Sequence, residues 1–268
     1  MNRFGGPVLA QGGSADVTLL LEGTYPFVSG GVSSWVHQIV RGLPDLRFAL
    51  VFIGGNPESY ERLRYELPKN VVHLEEHYLG QAPRFQRLSS NRGHREFYRM
   101  NRELHDAFAA RDAPEARFDG MLDRLVNVLL EDPALHERDF LSSESAWKQI
   151  CERYERSAST RSFLEYFWTV RSMHAPLFKM ARVAAGLPRS NAFHVVSTGF
   201  AGFLGALAQK KQERPLILTE HGIYSKERGI ELLQATWLRD DDVEPDDHGS
   251  GQAIGFFRQM WIRFFEAL

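Results

Sequence analysis

Val17–Leu43, VTLLLEGTYPFVSGGVSSWVHQIVRGL, is the stretch that decides the fold class. Val17, Leu19, Leu20 and Leu21 make an apolar run of the kind found in a strand buried on both faces. The chain then turns through Glu22-Gly23-Thr24-Tyr25-Pro26 and Ser29-Gly30-Gly31. Directly afterwards Val32, Trp35, Val36, Ile39, Val40 and Leu43 recur at the spacing of one helix face. A strand thus feeds a helix through a glycine pair. The first amides of a helix have no intrahelical acceptor, and the helix dipole adds positive potential there. A glycine pair lets an anion, commonly a phosphate, approach those amides without a side chain in the way.

Working outward, the same pattern repeats. Phe48–Ile53 (FALVFI) reads as a second buried strand closed by Gly54-Gly55-Asn56-Pro57, and Val71–Leu74 (VVHL) as a third. Strand, helix, strand predicts a parallel sheet with right-handed crossovers. From His94 to Gly186 the periodicity becomes helical, with segments predicted at His94–Ala110, Phe118–Glu131, Ser143–Ser157 and Ser162–Gly186. Pro176 is expected to kink or break the last of these. Strand signals return at Phe193–Ser197 (FHVVS) and Pro215–Thr219 (PLILT). Between them lies an apolar helix, Phe200–Gln209, and a helix around Lys226–Thr236 follows. Gly199, Gly202 and Gly205 sit three apart and read as close helix–sheet packing.

Bulk properties exclude several classes. The 268 residues lie near the upper limit for a single core. With 43% hydrophobic and 25% charged residues, the composition is that of an ordinary globular protein. A formal net charge of −2 does not point to nucleic acid. The lone Cys151 cannot form an internal disulfide and fits a reducing compartment. Residues 1–15 lack a secretory apolar core and read as a flexible leader, and no apolar run approaches the ~20 residues of a membrane span. A cytoplasmic location is expected. Asp240–Gly251 is acidic and rich in turn formers, without a metal-ligand spacing, and reads as a loop. No histidine–cysteine cluster suggests zinc and no G-x-S-x-G elbow a hydrolase.

Two segments carry two readings each. Arg84, Arg87, Arg92, Arg95, Arg99 and Arg102 either face an anionic surface or belong to a solvated helix; Arg92–Glu96, Arg99–Glu103 and Arg102–Asp106 are i,i+4 pairs that favour the helix. Ala253–Leu268 places Phe256, Phe257, Met260, Trp261, Phe264, Phe265 and Leu268 on one broad stripe. That helix either docks on its own chain or faces a continuation of it. The aromatic run Phe163, Tyr166, Phe167 and Trp168 reads as core of the helical middle.

DVTLLLEGTYPFVSGGVSSWVHQIVRGLPDLRFALVFIGG, YELPKNVVHLEEHYL and TEHGIYSKERGIELL together resemble the amino-terminal half of the PelF-like glycosyltransferases of Pel exopolysaccharide synthesis, a biofilm polymer pathway. These are retaining family 4 enzymes of GT-B architecture. The resemblance implies an α/β fold: a Rossmann-like, mostly parallel sheet spanning 16–268, with a helical insertion at about 94–186. It also implies a carboxyl-terminal nucleotide-sugar-binding domain, which is absent from this sequence. The implied reaction transfers a hexose or hexosamine from a UDP-sugar to a growing polysaccharide acceptor, with retention of configuration. No cofactor and no metal are implied beyond the UDP-sugar co-substrate. An inner-membrane polysaccharide synthase complex is the implied partner, to which a cytoplasmic enzyme would be recruited. The isolated fragment is expected to be inactive.

The site residues follow from both arguments. Gly30, Gly31 and Val32 offer amides to a diphosphate. His221 follows a buried strand at the end where open α/β sheets bind ligands, and by resemblance it contacts the transferred sugar as the catalytic residue. Glu220, Tyr224, Glu227 and Arg228 are weaker substrate-binding candidates around it. Glu22 and Tyr25, at the carboxyl end of the first strand, are further candidates, since tyrosine offers a ring face and a hydroxyl to sugar. Two rival functions stay open: a non-catalytic carbohydrate-binding or complex-docking module, and another Rossmann-like enzyme with a phosphorylated ligand.

Overall fold

The apolar run forms β1 (Ser14–Glu22), which becomes the middle strand of a five-stranded sheet. In this computed structural model the described residues are 5–10, 13–80, 95–109, 115–235, 238 and 255–268. The chain continues through α1 (Gly31–Gly42), β2 (Phe48–Gly54) and β3 (Val71–Tyr78). Five helices follow: α2 (Arg95–Ala109), α3 (Glu115–Glu131), α4 (Pro133–Ser142), α5 (Glu144–Ser157) and α6 (Phe163–Gly186). Then come β4 (Arg189–Val195), α7 (Phe200–Gln212), β5 (Leu216–Leu218), α8 (Tyr224–Gln234) and α9 (Phe256–Ala267). The strand order is β3-β2-β1-β4-β5 and every neighbouring pair is parallel. The fold is a Rossmann-like α/β sheet with helical insertions.

Side chains alternate across the sheet, so each strand feeds two cores. Leu19, Leu21, Leu50 and Phe52 pack with Val36 and Val40 of α1. Leu20, Val51, Ile53, Phe193 and Val195 pack on the opposite face against α6 and α7. Full cover on both faces explains why every residue of β2 is buried. Truncating one such leucine to alanine costs about 2–5 kcal/mol. Asn70 anchors the far end of α1: its Nδ2 lies 2.9–3.1 Å from the carbonyls of Val40, Leu43 and Leu46. α1 is thereby fixed with its glycine end at the carboxyl edge of the sheet.

Several boundaries differ from the sequence reading, each for a local reason. β3 continues past Leu74 to Tyr78, because His73, Glu75 and His77 occupy one face and mask the apolar alternation. Both imidazole Nε2 atoms meet the Glu75 carboxylate, at 3.5 and 3.4 Å. β4 starts earlier than Phe193, where Ser190 accepts a side-chain bond from Thr18. α4 is an additional helix. α6 runs on through Pro176, so of the expected kink or break the break does not occur. Proline removes one backbone donor, but Met173, Phe178 and Met180 are buried on both sides of it and hold the helix in place. Residues 5–10 run along the outer edge of β3: Leu74 N–H donates to the Pro7 carbonyl and Leu9 N–H to His73 Nδ1.

Gly205 is the close-packing glycine of α7, since a Cβ there would meet Val195 and Leu216, whereas Gly202 has room. The aromatic run divides. Tyr166 is buried, but Trp168 is 44% exposed and packs on Phe167, which Trp147, itself 51% exposed, also meets. α9 docks on its own chain, burying Phe257 and Trp261 with Tyr166 and Leu232. Arg99 pairs with Glu96, not with Glu103, and Arg102 meets Glu152. Arg84, Arg87, Arg92 and the Asp240–Gly251 loop fall outside the described residues, as do Thr236 and the side chain of Asp106.

Candidate functional site at the carboxyl edge of the sheet

The strand order reverses direction between β1 and β4, so a crevice opens outside their carboxyl ends. Three loops frame it: the β1–α1 loop, the β4–α7 turn, and the segment from Thr219 to Ile223. The first is anchored from below. Tyr25 is fully buried and its hydroxyl lies 3.2 Å from His37 Nδ1. Burial, with Tyr65 beside it, pushes the Tyr25 phenol up to about 12. Tyr25 therefore supports the loop and presents no face to the crevice. Phe27 is buried against Phe52 in the same way.

At the end of that loop the chain enters α1. Gly30 is extended, and no side chain caps the helix or places a carboxylate in its first turn. Gly30 and Gly31 are exposed, and a Cβ on either would meet nothing within 4 Å. Val32 turns its side chain into the core. Gly31 and Val32 thus present first-turn amides to open space, where the helix dipole is positive.

The second helix start, at α7, is different. Gly199 has φ 89° and the ring of Tyr224 lies where its Cβ would be. Glu22 reaches across from β1: its Oε2 accepts from Ala201 N–H at 3.0 Å and its Oε1 from the Tyr224 hydroxyl at 3.4 Å. Burial raises the Glu22 carboxyl above the ordinary range, while the Ala201 amide and the Arg228 guanidinium act in the opposite sense. Arg228 stacks over the Tyr224 ring at 5.2 Å and pairs with Glu231. Glu22, Tyr224 and Arg228, all substrate candidates in the sequence, are thus brought together, with Tyr224 bonded to Glu22 and carrying Arg228 on its ring.

His221 stays exposed, one ring contact from α1: its ring centroid lies 4.8 Å from that of Trp35, the two rings meeting edge to face. Trp35 also touches His194, whose Nε2 lies 2.9 Å from Thr219 Oγ1. Burial, with His221 nearby, lowers the His194 imidazole. The tryptophan sits one turn beyond Gly31, so the open amides and His221 occupy the same side of the crevice. Glu220 is exposed and accepts from Thr198 Oγ1 at 3.3 Å, tying the loops after β4 and β5. Glu227 lies over Gly222, where any Cβ would strike its carboxylate.

Thr24 Oγ1 and Ser197 Oγ are buried without a hydrogen-bond partner, one in each loop beside the switch point. Sequence reasoning missed these two along with Trp35, His194 and Thr198. The available signal was their place: each follows, or faces, the carboxyl end of a central strand. Among the described residues no group of three His, Cys, Asp or Glu is arranged to hold a metal ion. The His73–Glu75–His77 cluster shows why. His73 Nδ1 accepts the Leu9 amide, so its Nε2 carries the proton, 3.5 Å from the Glu75 carboxylate, with no lone pair for a metal. No helix among the described residues is long and apolar enough to cross a membrane.

No curated protein and no solved structure matches this chain. A protein family does, over residues 15–268, so both glycine-opened helices, the inserted helices and His221 all lie inside its span. The chain belongs to the family described as domain of unknown function DUF3492.

Proposed function

We propose that this domain is the acceptor-side, amino-terminal half of a retaining GT-B glycosyltransferase that moves sugar from a UDP-sugar to a growing exopolysaccharide. The observation that carries the reading is the uncapped start of α1, open beside an exposed imidazole at the switch point. Sugar transfer leaves negative charge on the departing diphosphate, and preorganised amides stabilise such charge as it develops. In this reading Gly30, Gly31 and Val32 meet the donor phosphates and His221 contacts the transferred sugar. Thr24 and Ser197 offer hydroxyls that the protein itself does not use. A facing domain binds the nucleotide, and recruitment to an inner-membrane synthase complex brings the acceptor.

The test is titration of UDP-glucose and UDP-N-acetylglucosamine into the 15N-labelled chain. The expected result is perturbation of the Gly31 and Val32 amides and of the His221 ring, with the ring response lost in His221→Ala. If millimolar nucleotide sugar moves none of these resonances, or a dinucleotide moves them far more strongly, the reading fails. The half-exposed Trp147 and Trp168 favour a second reading, a polysaccharide-binding module. That reading requires glycan binding to survive His221→Ala and to disappear in Trp168→Ala.

A further inference from the structure

α1 and α7 both begin behind a glycine at the same edge of the sheet, on opposite faces, with no side chain of their own cap and no acidic residue in the first turn. Each start is by its geometry a place for an anion. At α7 that place is taken by the carboxylate of a residue far away in sequence. We infer that Glu22 is a specificity-determining residue: its carboxylate occupies the start of α7 as a built-in anion, so that a ligand's phosphates are confined to α1. Occupancy of α7 stands on the geometry alone; the consequence for a sugar-nucleotide donor rests on the reading above.

Three contacts make the occupant specific. Glu22 is the last residue of β1 and pairs with Ile53 in the ladder, so its backbone is fixed by the sheet. One carboxylate oxygen takes the Ala201 amide; the other takes the Tyr224 hydroxyl. Tyr224 is in turn wedged against Gly199 and backed by Phe265 of α9. A diphosphate entering here would have to displace an anion already held on a strand that cannot move without breaking the central sheet. At α1 it meets only open space around Gly30 and Gly31. The crevice thus contains two similar helix starts and leaves one for the ligand.

The experiment titrates pyrophosphate into the full 15N-labelled chain, as wild type, Glu22→Ala and Glu22→Gln. In wild type the Gly31 and Val32 amides shift, while Phe200 and Ala201 stay still. Glu22→Ala makes Phe200 and Ala201 responsive, with at least tenfold tighter binding at that end than in wild type. Glu22→Gln keeps an acceptor in place and leaves Ala201 unresponsive; it also reports on the question if the alanine variant does not fold. A wild-type Ala201 amide that moves with Gly31 overturns the inference. So does a folded Glu22→Ala chain whose Ala201 amide never responds, or a Glu22→Gln chain that responds as strongly as Glu22→Ala. Silence at Gly31 combined with a gain at Ala201 in Glu22→Ala rejects the donor reading and the confinement to α1, and leaves the occupancy of α7 by Glu22 standing.

Discussion

α1 and α7 start from nearly the same local sequence logic and finish with opposite electrostatic fates. Each follows a central strand, each is opened by glycine, and neither carries its own cap. Around Gly31 there is space; around Gly199 there is the Tyr224 ring and, two residues on, the Glu22 carboxylate. The contrast teaches that a helix start becomes a ligand site by what the tertiary structure leaves off it. The same glycine signal marks an open amide set in one case and a tight internal junction in the other.

The largest effect that would break the comparison is steric. Gly199→Val places a branched side chain at φ 89°, against Tyr224, and is expected to cost about 3 kcal/mol or more. Gly31→Ala, with nothing within 4 Å of its new Cβ, should stay within about 1 kcal/mol of wild type and can stabilise the helix. Urea unfolding of the two variants checks this, and equal losses would mean that α1 is as enclosed as α7.

Buried carboxylates sharpen the comparison through pH. Glu75, between two imidazoles, is held down to about 2, whereas Glu22 is raised by burial. A depressed carboxyl contributes stability that is fully present above its unfolded value, near 4.5, and is lost as pH falls toward the folded value near 2. For Glu75 the fall from 4.5 to about 2 corresponds to about 3 kcal/mol. A raised carboxyl does the reverse: its ionisation opposes folding as pH rises through the folded value. Glu75→Gln should therefore lower the neutral-pH melting temperature by several degrees and flatten the loss between pH 4.5 and 2. Glu22→Gln should leave the melting temperature at pH 7 unchanged or higher. A lower melting temperature for Glu22→Gln at pH 7, with no loss for Glu75→Gln, would reverse both assignments.

The smallest expected change in stability, and the most direct conversion of one helix start into the other, is Gly30→Asp. Gly30 is extended, a conformation open to any residue, so an aspartate there can cap α1. A gain of a few tenths of a kcal/mol is expected from cap replacement. The same change should abolish the pyrophosphate response of the Gly31 amide, because α1 would then hold an anion of its own as α7 does. A retained response would show that the phosphates bind elsewhere.

Much of this fold was legible in the sequence because its cause is local. FALVFI can be buried on both faces only in a covered parallel sheet, and the Trp35-Val36-Ile39-Val40 stripe can cover only one face. Helix continuity at Pro176 was not legible, since the packing of Met173, Phe178 and Met180 outweighs a proline's local cost. Neither was the length of β3, where His73, Glu75 and His77 share one face and Glu76 interrupts the apolar residues of the other. Of the site, the glycine pair and His221 were readable from their place after strands. Trp35 was visible only as a member of the α1 stripe, and its contact with His221 spans most of the chain.

The sequence by itself determined the sheet, the glycine-opened helices and the end of the strands at which ligands can gather, because periodicity and glycine act over a few residues. Tertiary structure alone decided which helix start is open and which is filled. Glu22 and Ala201 are 179 residues apart and meet only because β1 and β4 pair side by side. Tyr25 was buried for the same reason: the sheet and α1 close over it, and no local pattern states which aromatic in a loop will be enclosed. Short-range patterns set where amides and carboxylates occur along the chain; long-range pairing sets which of them neutralise each other.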